Sequence, residues 1–197
     1  MTIPNKYTSA PPSIISFDFT DVQAGTGINS YYGAGSIDSS GSTFFLTNKQ
    51  IFSGVEALTL SGAGPTTTTM DLAVFQRPLT AKGTALFSFA AITSAVDKDG
   101  DLQCEIFHVD SSGETSIVSA VTTDEITENP RMYLFKMPLT EKLFKKGDIL
   151  RIKLTLSGTA GGVVYVGTDS GNAQQETAIQ TLSTTEMQLL IPFKLDL

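Results

Sequence analysis

Asp97-Lys98-Asp99-Gly100-Asp101 brings three carboxylates together around a glycine, the pattern with which a calcium-binding loop begins. A loop of that type begun at Asp97 needs an acidic residue at its twelfth position, and His108 stands there instead. Asp97, Asp99 and Asp101 are therefore candidates for a weak cation site at a loop tip, with a turn between two strands as the plainer reading.

Cys104 and His108 are the chain's one cysteine and one histidine. Four residues apart on one face of a strand, they are separated by about 13 Å, too far for direct proton transfer. The pair reads as a strand histidine packed near a buried thiol, and one His with one Cys offers no zinc spacing. Asp18, Asp71, Glu105, Glu125 and Glu186 could supply the paired carboxylates of a glycosidase, but nothing in the sequence sets two of them at a working separation. Tyr32-Gly33-Ala34-Gly35 lacks the strand-to-helix setting of a phosphate-binding loop and reads as loop glycines. No catalytic residue, no metal ligand beyond the weak aspartate loop and no cofactor is expected. Tyr31 and Tyr32, the adjacent tyrosines of a Ser/Gly-rich segment, are the candidates for a ligand or interface contact. One or both also fit as anchors packed onto the core.

The stretch "LFKKGDILRIKLTLSG" (Leu143 to Gly158) raises the question of an anion site at Lys145 and Lys146. Leu150, Ile152, Leu154 and Leu156 alternate with Arg151, Lys153 and Thr155, which is strand periodicity. Lys146-Gly147-Asp148 is turn chemistry ahead of that strand. The lysines are then solvated residues at its lip.

What positions these residues is a chain of short strands. "STFFLT" (Ser42 to Thr47), "VEALTL" (Val55 to Leu60) and "SIISFDF" near the N-terminus have strand composition. So do "TTTTMDLAVFQRP" with Met70, Leu72 and Val74 inward, "GTALFSFAAIT" from Gly83, and "DLQCEIFHV". Asp110-Ser111-Ser112-Gly113 predicts a hairpin turn, "RMYLFKM" (Arg131 to Met137) a strand, and "GGVVYVGT" a strand pairing with Leu150–Leu156. Met187, Leu189, Ile191, Phe193, Leu195 and Leu197 share one apolar face. Leu139 to Gly147 allows one short helical turn capped by Thr140. The expected fold is all-β, a single β-sandwich of jelly-roll type over residues 14–197, preceded by an extended Pro-containing arm over residues 1–13.

Composition narrows the function classes. The 197 residues are 41% hydrophobic and 17% charged, against roughly 25% charged in an average soluble protein. A formal net charge of −7 disfavours nucleic acid as a partner, because phosphate binding depends on Lys and Arg. No apolar run approaches a membrane span, and no basic-then-apolar leader is present. The expectation is a soluble chain made in a reducing cytoplasm.

Several segments together carry a resemblance. They are "SFDFTDVQAGTGINSYYGAGS", "FFLTNKQIFSG", "DLAVFQRPLTAKGTALFSFA", "LFKKGDILRIKLTL", "VYVGTDSGN" and the terminal "LLIPFKLDL". In these the chain resembles a group of uncharacterised jelly-roll virion proteins of marine and environmental tailed phages. The resemblance implies a non-enzymatic structural component of the virion: a capsid decoration, or cement, protein that stabilises the phage head as a homotrimer. Its partners would be the major capsid protein or other virion proteins and its own copies. The alternative is a glycan-binding or adhesion module of a phage tail or host-attachment structure, motivated by the β-sandwich and by Tyr31 and Tyr32.

Overall fold

A computed structural model describes residues 26–38, 41–49, 57–61, 65–93, 100–129, 131–158, 163–168 and 187–194. The expected arm (1–13) and the strand expected after it, as well as Asp97, Asp99, Leu195 and Leu197, lie outside the described residues. Among the described residues the elements are all strands. In order they are β1 (Thr26–Asp38), β2 (Gly41–Thr47), β3 (Ala57–Ser61), β4 (Thr66–Leu72), β5 (Leu79–Thr93) and β6 (Gly100–Asp110). They continue as β7 (Gly113–Ser116), β8 (Val121–Thr122), β9 (Arg131–Phe144), β10 (Ile149–Gly158), β11 (Val163–Gly167) and β12 (Gln188–Lys194).

Hydrogen bonding links them in the order β3-β11-β5-β12-β1-β2-β4-β10-β6-β7, with β9 on β5 and β8 on β6. Within this path are two antiparallel layers, β1-β12-β5-β9 and β4-β10-β6-β7. Among the described residues the first strand pairs with the last, and the layers exchange strands along the chain. That wrap is a jelly roll. The layers are joined at a seam where β2 runs parallel to β4 through only two pairs, Phe45↔Asp71 and Leu46↔Leu72.

Strand alternation explains what fills the space between the layers. Tyr31, Leu189, Phe87 and Phe135 form one buried row across β1, β12, β5 and β9. Met70, Ile152 and Ile106 form a buried row across β4, β10 and β6 in the other layer. The layers meet through rings: Phe144 of β9 lies 4.9 Å from the His108 ring of β6, and Phe75 lies 5.9 Å from Phe193 of β12. The inward face expected for Leu150, Ile152, Leu154 and Leu156 is buried, as are Met187, Leu189, Ile191 and Phe193. The turn expected at Asp110–Gly113 is present. Gly113 has φ 122°, and Ser112 donates its amide to Asp110 Oδ1 at 2.7 Å.

Four expectations are corrected. β11 pairs with β3 and β5, not with β10, whose two edges are taken by β4 and β6. Leu139 to Phe144 is strand, held by β5 through Leu79↔Phe144 and Gly83↔Leu139, so Thr140 caps no helix. β4 stops at Leu72, which leaves Val74 exposed and sends Phe75 inward. Tyr31 to Gly35 lies within β1, not in a loop.

Candidate functional site

The tyrosine pair is split by the pleat. Tyr31 points into the sandwich and is 4% exposed, while its neighbour Tyr32 falls on the outward face, half-buried. There Tyr32 shares a cross-strand row with Gln188, Ser88 and Leu134. Asn29 donates its side-chain amide to the Tyr31 hydroxyl at 3.3 Å. Burial pushes the Tyr31 phenol above its ordinary value, with the Asn29 bond opposing.

Beside these residues the sheet has a notch. Tyr32 is paired with Thr47, the last residue of β2. β1 continues past that point, and on the side where β2 has ended, Ile28 to Tyr31 have no strand partner among the described residues. Past the end of β4 the chain runs on through residues 73–78 to β5. That segment is tied to the turn before β10: Phe75 donates its amide to the Asp148 carbonyl, and Gly147 donates to the Phe75 carbonyl, both at 2.9 Å. Between these edges opens a groove of about 1260 Å³. Its polar lining includes Asn29, Tyr32, Thr47, Asn48, Gln76 and Arg77, and its apolar lining includes Ile28, Phe45 and Val74.

Asp71 also lines the groove, but its carboxylate is engaged. Arg151 Nε and Nη2 lie 2.5 and 2.6 Å from its two oxygens, a bidentate pair. Arg151 also donates Nη1 to Glu114.

The other candidates lie elsewhere. His108 and Cys104 are buried in β6 and lie outside the groove. Burial, with Glu105 adding to it, pushes the Cys104 thiol well up, which keeps it a protonated, unreactive thiol. His108 Nε2 is 2.7 Å from Asp148 Oδ2, and its Nδ1 is buried without a hydrogen-bond partner. Of the aspartate loop only Asp101 is described, exposed and paired with Ser157. Among the described residues no cluster of three His, Cys, Asp or Glu side chains could hold a metal. Asp18 and Glu186 lie outside the described residues. Lys145 and Lys146 are exposed beside a turn in which Gly147 has φ 97°, the strand launch expected for this stretch. The groove's amides and Arg77 carry no motif. Only the end of β2 brings them together.

No protein-family model and no curated protein matches this chain. Solved structures give shallow likenesses. An aminopeptidase from the marine sediment archaeon Thaumarchaeota archaeon is 10% identical with a TM-score of 0.47, over 64% of this chain and 25% of that one. An α-amino acid ester hydrolase is 12% identical with a TM-score of 0.47, over 84% and 35%. Carbohydrate-binding modules from the β-sandwich superfamily are 13% identical with a TM-score of 0.39, over 78% and 59%. This chain thus spans about a quarter to a third of the two enzymes' length. Likenesses this shallow transfer neither activity nor ligand, and the fold rests on the strand pairing above.

Proposed function

We propose that this chain is a non-enzymatic glycan-binding module of the β-sandwich kind, working in a phage tail or host-attachment structure. The observation that carries the reading is the groove, whose lining includes Tyr32, Thr47, Asn48, Gln76 and Arg77. A sugar ring has a face of C–H groups that packs on an aromatic ring and a rim of hydroxyls that both donate and accept. Planar amides and a guanidinium supply several fixed donors and acceptors to such a rim. Tyr32 and Thr47 are held on paired strands before any ligand arrives, which lowers the ordering cost of binding, while Asn48, Gln76 and Arg77 stand on the segments that follow β2 and β4. The setting follows from the sequence resemblance.

The test is a glycan array followed by calorimetry on the glycans it identifies. Wild-type protein should bind, and Tyr32→Ala, with an unchanged melting temperature, should bind about tenfold more weakly. A blank array together with no attachment to host cells would end this reading.

A different observation favours a second reading, the head-decorating homotrimer. Met132 and Leu134 on β9 are 47% and 61% exposed. Large apolar side chains on an outward face suit contact with another subunit. Lys136 and Pro138 on the same strand oppose edge-to-edge strand pairing, so the contact would be made by the face. Light scattering on the purified chain, followed by mixing with undecorated phage heads, tests it. A monomer that ignores heads would dismiss it.

A further inference from the structure

We infer that the ligand of the groove is an acidic glycan, one bearing sugar carboxylates, and that Arg77 receives the carboxylate; this rests on the glycan-binding reading above. Two charged side chains, Asp71 and Arg77, line the groove. They are not each other's partners. Both Asp71 oxygens are held by Arg151, whose remaining Nη1 goes to Glu114, so Asp71 is already engaged and that set keeps one net negative charge. Arg77 is exposed and has no carboxylate partner among the described residues. Arg77 is therefore the one cation lining the groove, and its guanidinium is not committed to a carboxylate of the described residues.

Its backbone is anchored. Arg77 follows Phe75, whose amide and carbonyl are both bonded to the Gly147–Asp148 turn, and Gln76 Nε2 returns to the Val74 carbonyl at 3.3 Å. Pro78 restricts the chain on the other side of Arg77. A guanidinium on such a base offers a planar fork that matches a carboxylate with two parallel bonds. The rest of the molecule makes this selective. With a net charge of −7 the surface at large repels anions, so an anionic ligand is favoured only where a local cation and the ring of Tyr32 act together.

The test compares matched glycans on the full chain: uronic-acid and sialic-acid oligosaccharides, their carboxyl methyl esters, and sulfated counterparts. The same titrations are run on Arg77→Gln, whose melting temperature should equal that of wild type. Expected is wild-type binding of one or more of the acids, with the matching ester bound about tenfold more weakly, and loss of that difference in Arg77→Gln. Equal wild-type affinity for acid and ester would overturn the charge assignment while leaving the glycan reading intact. Preference for the sulfated series would overturn the carboxylate. No binding to any glycan would remove both readings together.

Discussion

His108 Nε2 lies 2.7 Å from Asp148 Oδ2, so the chain's one histidine, buried on β6, reaches the aspartate of the turn that launches β10. The same oxygen accepts the Lys145 backbone amide at 2.7 Å. The turn is thus held from inside the core, and its lysines are left to solvent.

Burial draws the Asp148 carboxyl upward, but the bonds from His108 and the Lys145 amide outweigh it, and the group sits below the ordinary carboxylate value. A carboxylate depressed on folding stabilises the fold above its unfolded value, near pH 4, and that contribution is lost as pH falls through the folded value. Asp148→Asn should therefore melt lower than wild type at neutral pH, with the gap narrowing below about pH 4. Asp148→Ala should cost about 2 kcal/mol. Thermal melts from pH 7 to pH 2 check both; a gap that stays constant with pH would mean the charge is not what matters.

Tyr31 and Tyr32 should respond oppositely. Tyr31→Ala empties a place in the buried row with Leu189, Phe87 and Phe135, and should cost about 3 kcal/mol in denaturant unfolding. Tyr32→Ala should cost little stability and appear in ligand affinity. If Tyr32→Ala were the less stable of the two, the assignment of faces would be wrong.

Ile152→Asp or Leu154→Asp places a charge in a fully buried site and should yield no soluble folded protein. Leu154→Ala, a milder probe of the same face, should fold and lose about 2–5 kcal/mol. Soluble, cooperatively melting Leu154→Asp would show that this face is not core.

Gly33 is required by close approach. A Cβ there would sit 2.9 Å from Met187 Sδ and 3.2 Å from the Thr168 carbonyl oxygen, beside the bond from the Gly33 amide to the Met187 carbonyl. Gly33→Val should lower stability by about 1–3 kcal/mol, read as a shift in melting temperature. A second change, Met187→Ala, should recover part of that loss if the clash is the cause.

Some of this was legible in the chain and some was not, for physical reasons. Alternation along Leu150–Leu156 and Met187–Phe193 was readable because each strand buries one face. The Lys146-Gly147-Asp148 turn was readable because glycine and aspartate act locally. Strand partners are not local. The nearness of "GGVVYVGT" to β10 suggested a hairpin, yet β10 was already enclosed by β4 and β6. The Leu, Glu and Lys of 139–144 favour a helix on their own, but the long pairing with β5 overrides that preference. The tyrosine pair stood out in the sequence, but which ring faces outward depends on strand register. Asn29, Asn48 and the adjacent Gln76 and Arg77 are far apart in the chain and line one groove only because β2 ends where it does.

β12 fills the slot between β1 and β5, and among the described residues ten strands, β2 to β11, are made between β1 and that partner. During translation the long edges of β1 and β5 must wait, unpaired, until β12 leaves the ribosome. The core row of Tyr31 and Phe87 has no Leu189 between them until then. A chain interrupted before β12 is therefore a split layer with two sticky edges, prone to aggregate, and not a smaller version of the domain.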